Sequence, residues 1–273
     1  MFRQVIVGVD GGPTGRDAVA VARLLVGPDG RLVLAHVHEL TPVRGASGAY
    51  GPAETEESMR LLEAERAATG VDAELAPITA SSVGRGLHYL AQARGADLLS
   101  IGSSKSSFVG RVLVGDISRA ALIGAPCAVA VAPLGYAGEA TPIARIGVGY
   151  DGSPESDAAL TFARELATHH HAALAAMTVV EPARLVRGVM RSQADPAELA
   201  EARSQLAGLD GVEGEVVSGI AGEELAVFSD RVDVLVVGSR GYGPIRSLML
   251  GGTAVHLAGS ARCPLLVLPR VEE

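Results

Sequence analysis

The sequence predicts an α/β fold of two tandem domains, each a five-stranded parallel sheet with helices on both faces. Three observations lead to this prediction. One domain-sized segment occurs twice in the 273 residues, and short apolar runs alternate with helical segments in each copy. The chain is also 48% hydrophobic but only 3% aromatic, so small aliphatic side chains supply most of the core. Such side chains suit helices that pack on a buried parallel sheet.

The repeat is clearest near the beginning and the end of each copy. Residues 4–25 match residues 144–167, and residues 96–133 match residues 232–269. Because the period is the length of a domain, the pattern indicates a duplication and not a solenoid.

A short linker with glycine and proline separates the copies at residues 134–142. Such segments are typical of domain boundaries. We therefore expect one domain at residues 1–134 and a second at residues 143–273.

Each copy begins with a short apolar run that contains glycine, at residues 5–9 and 146–150, which predicts a buried strand. A helix follows, and in the second copy Ser153 is the candidate N-cap and Pro154 the first-turn proline. The other strands are predicted at residues 31–37, 71–78, 97–102 and 128–133, and at residues 172–180, 212–220, 233–238 and 265–269. Further helices are predicted at about residues 53–68, 81–94, 194–207 and 221–230, and one more before each last strand. Ligands of such parallel sheets bind beyond the carboxyl ends of the strands.

Composition argues against several classes of protein. The net charge is −8 and Lys105 is the only lysine, so a basic surface for nucleic acid is not expected. No run of about 18 apolar residues and no leader pattern occurs, so we expect a soluble, cytoplasmic chain that does not enter a membrane. Cys127 and Cys263 lie at matching positions outside any CxxC pair and are expected to be buried thiols.

A glycine loop in the second copy is the strongest functional signal. The predicted strand ends at Gly238, Gly241 follows after two residues, and nine residues later the chain reads Gly251-Gly252-Thr253. Glycines let the backbone approach an anion closely, and the helix N-terminus supplies amides and a favourable dipole. The pattern predicts a phosphate site; a loop kept for turn geometry alone is the alternative.

This spacing resembles that of the ATP-binding members of the universal stress protein family, which carry G-x-x-G, nine residues and then G-S or G-T. The VD and YD segments after the first strands and the APC and ARCP segments before the last strands strengthen the resemblance, which covers the whole chain once per half. It implies sheets of order 3-2-1-4-5 and pairing of the two last strands, which would form a pseudo-dimer within one chain. It also implies ATP as ligand, with or without Mg²⁺.

The resemblance implies a set of nucleotide-binding residues in the second half. They are Gly149, Asp151, Val179, Val237, Gly238, Gly241, Gly251, Gly252 and Thr253. The pattern departs at Gly252, where the family has Ser or Thr; Thr253 is a candidate replacement for the lost hydroxyl. Asp151 is a candidate acceptor for adenine or ribose groups, with an Asx-type turn as the alternative. For the valines, core packing is an alternative that does not exclude contact with the base.

The corresponding residues of the first half are Asp10, Val37, Ile101, Gly102, Lys105 and Gly115. This half departs further from the pattern, because Lys105 replaces the second glycine and Asp116 replaces the hydroxyl residue. A carboxylate at that place repels phosphate unless Lys105 offsets its charge. The first site is therefore either a nucleotide site or a structural relic.

Other chemistry finds little support. Gly147, Gly149 and Gly152 satisfy the dinucleotide fingerprint G-x-G-x-x-G, but no acidic residue follows at the required distance. A P-loop, a G-x-S-x-G elbow and an H-E-x-x-H pair are absent from the sequence, and no catalytic or metal-ligating residue is identified.

The sequence thus favours an ATP-binding regulatory or stress-response protein with at most slow hydrolysis, acting on unknown protein partners. Three alternatives stay open: an interaction scaffold that needs no nucleotide, a cyclic AMP binder, and an enzyme that activates a substrate with ATP. Association into a homodimer of tandem chains is a further expectation.

Overall fold

A computed structural model describes residues 1–39, 52–103, 120–139, 142–182, 194–239 and 251–269. These residues form two compact units, one within residues 1–139 and one made of the described residues from 142 onward. Lys105, Gly115, Asp116 and Gly241 lie outside the described residues.

The first unit contains a parallel sheet of order β3-β2-β1-β4-β5. Its elements in chain order are β1 (Phe2–Gly8), α1 (Pro13–Leu25), β2 (Val26–Glu39), α2 (Pro52–Thr69), β3 (Glu74–Ala80), α3 (Val83–Arg94), β4 (Leu98–Gly102), β5 (Ala128–Ala132) and α4 (Tyr136–Glu139).

The second unit repeats this topology, with the order β8-β7-β6-β9-β10 and every pair parallel. Its elements are β6 (Arg145–Gly149), α5 (Pro154–His170), β7 (Ala173–Val180), α6 (Pro196–Ala207), β8 (Glu213–Ser218), α7 (Ala221–Phe228), a 3₁₀ turn (Ser229–Arg231), β9 (Val234–Gly238), α8 (Gly252–Ser260) and β10 (Leu265–Leu268). Counted within each copy, both sheets have the order 3-2-1-4-5, so the predicted α/β fold is confirmed.

Helices cover both faces of the first sheet. The Ser100 hydroxyl donates to the carbonyl oxygen of Ala18 in α1 at 2.8 Å. A Cβ atom built on Gly8 would lie 3.2 Å from Leu87 in α3 and 3.5 Å from Ile101. Because Ser100 and Ile101 are neighbours in β4, their side chains point to opposite faces. Helices α1 and α3 therefore lie on opposite faces of the sheet.

The second sheet has the same arrangement. A Cβ atom built on Gly238 in β9 would meet the backbone of Glu155 in α5. A Cβ atom on Gly149 would instead lie 3.1 Å from both Val237 and Leu225, and Leu225 belongs to α7. Since Val237 and Gly238 are neighbours on one strand, α5 and α7 lie on opposite faces.

One strand begins earlier than the sequence indicated. The run at residues 31–37 predicted the second strand, but β2 spans Val26–Glu39 and follows α1 directly. Val26 already has extended dihedrals, φ −70° and ψ 136°, and it pairs with Phe2. The register is irregular between Phe2 and Gln4, which accommodates the glycines and proline of this segment.

The segment after β5 forms a short helix, α4, that is hydrogen-bonded to α1. Asp17 in α1 is only 2% exposed, and its carboxylate accepts hydrogen bonds from the amides of Gly135 and Ala137, both at 2.8 Å. These bonds satisfy amides at the start of α4, as an N-cap side chain does. The beginning of the predicted linker is thus fixed to α1.

The strands form the core of each unit, and the described residues of β5 and β10 are buried throughout. Cys127 and Cys263 are free and buried, as predicted. Among the described helices, none is both long and apolar enough to cross a membrane.

Candidate functional site

A cleft lies at the carboxyl ends of β6, β7 and β9 in the second unit. This edge of a parallel sheet is where α/β proteins bind their ligands. Of the residues singled out in the second half, the ones that line the cleft are Gly149, Asp151, Val179, Val237, Gly238, Gly251 and Thr253. The cleft thus brings together the ends of three strands and the beginnings of three helices, α5, α7 and α8.

One part of the cleft is apolar. Met177 and Val179 come from the end of β7, and Leu225 comes from α7. Gly149 leaves room for Leu225 and Val237, because a Cβ atom there would lie only 3.1 Å from each side chain. Such a surface suits a flat, weakly polar group.

Two helix N-termini supply the polar part. The first turn of α5 contributes Ser153, Glu155 and Ser156, and its end is capped because the Ser153 hydroxyl oxygen accepts a bond from the Ser156 amide at 3.2 Å. This confirms the predicted N-cap.

The first turn of α8 contributes Thr253 and Ala254, next to its N-cap Gly251. Gly251 has no side chain with which to cap the helix, and the Val255 amide bonds to the Gly251 carbonyl oxygen at 3.1 Å. The amides before Val255 in this turn have no carbonyl four residues back inside the helix. An anion is the ligand that such an N-terminus favours.

Asp10 and Asp151 make the same local turn in the two copies. The Gly12 amide donates to Asp10 Oδ1 at 3.0 Å, and the Ser153 amide donates to Asp151 Oδ1 at 3.1 Å. The Asx-type turn is therefore present in both copies. Asp151 in addition lines the cleft, so its turn does not exclude contact with a ligand.

The loop glycines have a packing reason of their own. A Cβ atom on Gly238 would lie 2.6 Å from the carbonyl oxygen of Glu155, and one on Gly102 would lie 2.1 Å from that of Thr14. Both distances are far below van der Waals contact, so each glycine lets the first turn of α5 or α1 approach the end of a strand. The glycine signal thus has a structural cause in both copies.

Gly252 is different, since a Cβ atom there would meet nothing within 4 Å. The residue is exposed at the start of α8 and is not among the residues that line the cleft. A Ser or Thr side chain, which the family pattern has at this position, would therefore fit at Gly252 without a clash.

In the first unit, Asp10, Val37, Ile101 and Gly102 lie at the carboxyl ends of β1, β2 and β4. Val37 is 7% exposed and lies close to Gly86, where a Cβ atom would be 2.8 Å from it. Val37 therefore packs in the core, and Ile101 is buried at 5% exposure. Core packing does not exclude contact with a base, which stays a prediction for both residues.

Sequence reasoning missed several residues of the cleft, namely Tyr150, Glu155, Ser156, Met177, Ala221, Leu225 and Ala254. A difference between the two copies could have drawn attention to Tyr150, because the matching residue of the first copy is Val9. Its hydroxyl donates to Asp157 Oδ1 at 2.8 Å. Partial burial raises the pKa of Tyr150, and this hydrogen bond raises it further.

Two glycines of the G-x-G-x-x-G pattern, Gly147 and Gly152, are required by their local structure. A Cβ atom on Gly147 would lie 2.8 Å from the Phe228 ring, and Gly152 has φ +73° in the turn before α5. Helix packing and a turn therefore require these glycines without a dinucleotide. Within the described residues, no three His, Cys, Asp or Glu side chains are grouped as metal ligands.

Two copies of one doubly wound α/β domain, the second with a cleft at the carboxyl ends of its strands, define a tandem α/β protein. A model of the universal stress protein family matches residues 1–133 and 142–269. The chain belongs to the universal stress protein family.

Similar proteins agree with this assignment. The universal stress protein in the QAH/OAS sulfhydrylase 3′ region of Thermus aquaticus is 28% identical over 130 residues, which are 44% of this chain and 93% of that protein. A universal stress protein from Archaeoglobus fulgidus has a TM-score of 0.68 at 17% identity, with 98% of both chains covered. A putative one from Pseudomonas aeruginosa has a TM-score of 0.65 at 17% identity, with 98% of this chain and 94% of that chain covered. The two structural likenesses concern the fold alone.

Proposed function

We propose that the second unit binds ATP and that the protein is a nucleotide-dependent regulatory or stress-response protein. The observation that carries the proposal is the cleft itself, in which an apolar part adjoins two helix N-termini within one domain. An adenine nucleotide has the complementary shape, a flat heterocycle joined through ribose to phosphates.

The apolar part, with Met177, Val179 and Val237, is the proposed place for the base. The N-terminus of α8, with Gly251 and Thr253, is the proposed place for phosphate. Asp151 lies on the same cleft and is the proposed acceptor for ribose or adenine groups. Gly241 and Gly252 remain proposed parts of the phosphate loop on sequence grounds.

The charge of the cleft bears on Mg²⁺. Asp151 and Glu155 are both lining residues, and a carboxylate close to phosphate is unfavourable unless a cation intervenes. Mg²⁺ is commonly held by one or two carboxylates together with nucleotide phosphates. The residues present therefore fit the Mg²⁺ complex of ATP. Comparing the affinity for ATP in the presence of Mg²⁺ with that in EDTA distinguishes binding of this complex from binding of free ATP.

The proposed role is regulatory, with at most slow hydrolysis, because the sequence carries none of the hydrolase motifs considered above. A cytoplasmic location, pairing of the two last strands and a homodimer of tandem chains stay predictions of the family resemblance. Cyclic AMP is the alternative ligand. The family hydroxyl is absent at Gly252, and this weakens the expected binding of the ATP phosphates.

The test is ATP binding by the full chain, measured by calorimetry for two matched variants. Asp151→Asn keeps an oxygen for the Asx-type turn but removes the charge, and it should weaken binding about tenfold or more, as loss of a charge-assisted hydrogen bond does. Asp10→Asn makes the same change in the same turn of the first unit and should leave this affinity unchanged.

Equal losses in both variants would show that binding does not depend specifically on the second cleft and would overturn its assignment as the ATP site. Absence of ATP binding by the unmodified chain, with and without Mg²⁺, would overturn the proposal and favour a nucleotide-independent scaffold. Tighter binding of cyclic AMP than of ATP would replace ATP as the ligand.

A further inference from the structure

Two helix N-termini lie next to each other at the cleft of the second unit. Helix α7 contributes Ala221 to the lining, and α8 contributes Thr253 and Ala254. The two helices pack closely, since a Cβ atom built on Gly222 would lie 2.8 Å from the His256 ring. The amides and the dipole of a helix N-terminus attract an anion. Helix geometry alone would therefore allow a phosphate group at either helix.

Glu181 already occupies the N-terminus of α7. It follows β7 directly, and its Oε1 accepts a hydrogen bond from the Ala221 amide at 3.0 Å. The N-cap residue Ile220 supplies no side-chain acceptor, and Glu223 and Glu224 add two more carboxylates in the first turn. A carboxylate held on a helix N-terminus takes the place that a phosphate oxygen would take, and it repels a second anion. Phosphate is therefore disfavoured at α7.

The N-terminus of α8 has none of these features. Its N-cap Gly251 has no side chain, the described residues give the helix no side-chain cap, and its first turn contains no acidic residue. Of the two neighbouring helices, α8 is thus the one that accepts an anion without competition from a carboxylate. The difference lies in side chains and not in the backbone, so a substitution can reduce it.

The first unit has a carboxylate at the matching position. Glu39 ends β2, and its Oε1 accepts a hydrogen bond from the Val83 amide at the start of α3 at 3.2 Å. That helix also has its own N-cap, because the Ser82 side chain accepts a bond from the Arg85 amide at 3.4 Å. Among the described residues, Glu39 is therefore one of two side-chain caps, whereas Glu181 alone caps α7. The two glutamates provide a matched pair for substitution.

We propose that Glu181 determines where the phosphates of the bound nucleotide lie. Its carboxylate closes the N-terminus of α7 to anions and leaves that of α8 as the place for phosphate. This rests on the proposed function of the same cleft. Glu181 is thus a positioning residue, which acts on the ligand through its charge and through the end of α7.

The test compares the affinities for adenosine, AMP and ATP on the full chain by calorimetry. Glu181→Gln keeps an oxygen for the Ala221 amide but removes the charge. Adenosine affinity should not change, and the gain in affinity should grow with ligand charge, to about three- to tenfold for ATP at low salt. About 0.5 M salt should reduce this gain, because exposed charges are screened. Glu39→Gln removes the same charge from the first unit and should change none of the three affinities.

A second measurement needs no ligand. The bond to Glu181 should slow hydrogen exchange of the Ala221 amide in the unmodified chain. Glu181→Ala removes the acceptor and should speed this exchange about three- to tenfold, as loss of one hydrogen bond does. Glu181→Gln should keep most of the protection.

The outcomes separate the two proposals. ATP affinity that is unchanged or weaker in Glu181→Gln, a gain that adenosine shares, or an equal gain in Glu39→Gln overturns the role of Glu181 and leaves ATP binding standing. Exchange of the Ala221 amide that is equally fast in the unmodified chain and in Glu181→Ala also overturns that role. Absence of ATP binding by the unmodified chain overturns both proposals.

Discussion

The α carbon of Gly238 faces the backbone of Glu155 so closely that an added Cβ atom would lie 2.6 Å from its carbonyl oxygen. The matching pair in the first unit, Gly102 and Thr14, is closer still at 2.1 Å. The same contact occurs in the copy whose loop departs further from the nucleotide pattern. The fold therefore requires this glycine whether or not a phosphate binds beside it.

Gly238→Ala should destabilise the protein because the new methyl group meets backbone atoms that cannot turn away. We expect a loss of about 1–3 kcal/mol in the free energy of unfolding, as for other overpacked sites. The control is Gly252→Ala, which adds the same methyl group where nothing lies within 4 Å and should change stability by less than about 1 kcal/mol. Urea denaturation measures both, and equal stability of the two variants would contradict the packing argument.

Much of the fold could be predicted because its signals are local. The duplication, the apolar runs and the glycine spacing each lie within short segments, and they located the strand ends that carry Asp151, Val179 and Val237. Leu225 could not be found in this way, because its place in the cleft depends on how α7 packs across the sheet. The hydrogen bond between Asp17 and Gly135 joins residues far apart in the chain, so no local sequence pattern predicts it.

Gly252→Ser restores the hydroxyl that the family pattern places at the start of the last helix. The side chain has free space, so the substitution should not disturb α8. We expect ATP affinity to rise several-fold, since a hydrogen bond to a charged group contributes about 1.5–3 kcal/mol less the cost of ordering the side chain. Gly252→Ala is the matched control without the hydroxyl, and equal affinities for the two variants would exclude a phosphate contact at this position.

Asp17→Asn tests the buried carboxylate that holds the start of α4. Burial raises the pKa of Asp17 above its ordinary value of 3.8, although its bonds from Ala137 and Gly135 act in the opposite direction. The contribution of Asp17 to stability is therefore complete below that value and falls as pH rises through its folded pKa. Asparagine keeps one acceptor and faces one amide with its NH₂ group, which costs about 1–3 kcal/mol.

Because only the unmodified chain loses stability as Asp17 ionises, the penalty of Asp17→Asn should be smaller at pH 7 than at pH 4. Urea denaturation at the two pH values gives this difference. A penalty that grows with pH would mean that the two backbone hydrogen bonds outweigh the desolvation of the carboxylate.

The two thiols should be unreactive in the folded protein. Burial raises the pKa of Cys127 to about 12 and raises that of Cys263 as well, so thiolate is scarce at both sites near neutral pH. A thiol-specific reagent at pH 8 should label neither cysteine in buffer and both in urea. Rapid labelling of one cysteine in buffer would indicate local opening at the end of that domain.

The most direct test of nucleotide binding by the second unit is to identify and count the nucleotide that purified protein carries. Acid release followed by mass spectrometry should give ATP or ADP at about one per chain, as expected for a single working site. Two per chain would mean that Lys105 and Asp116 leave the first site active. A protein that carries no nucleotide and also fails to bind added Mg²⁺–ATP would contradict the proposal that this cleft is an adenine-nucleotide site.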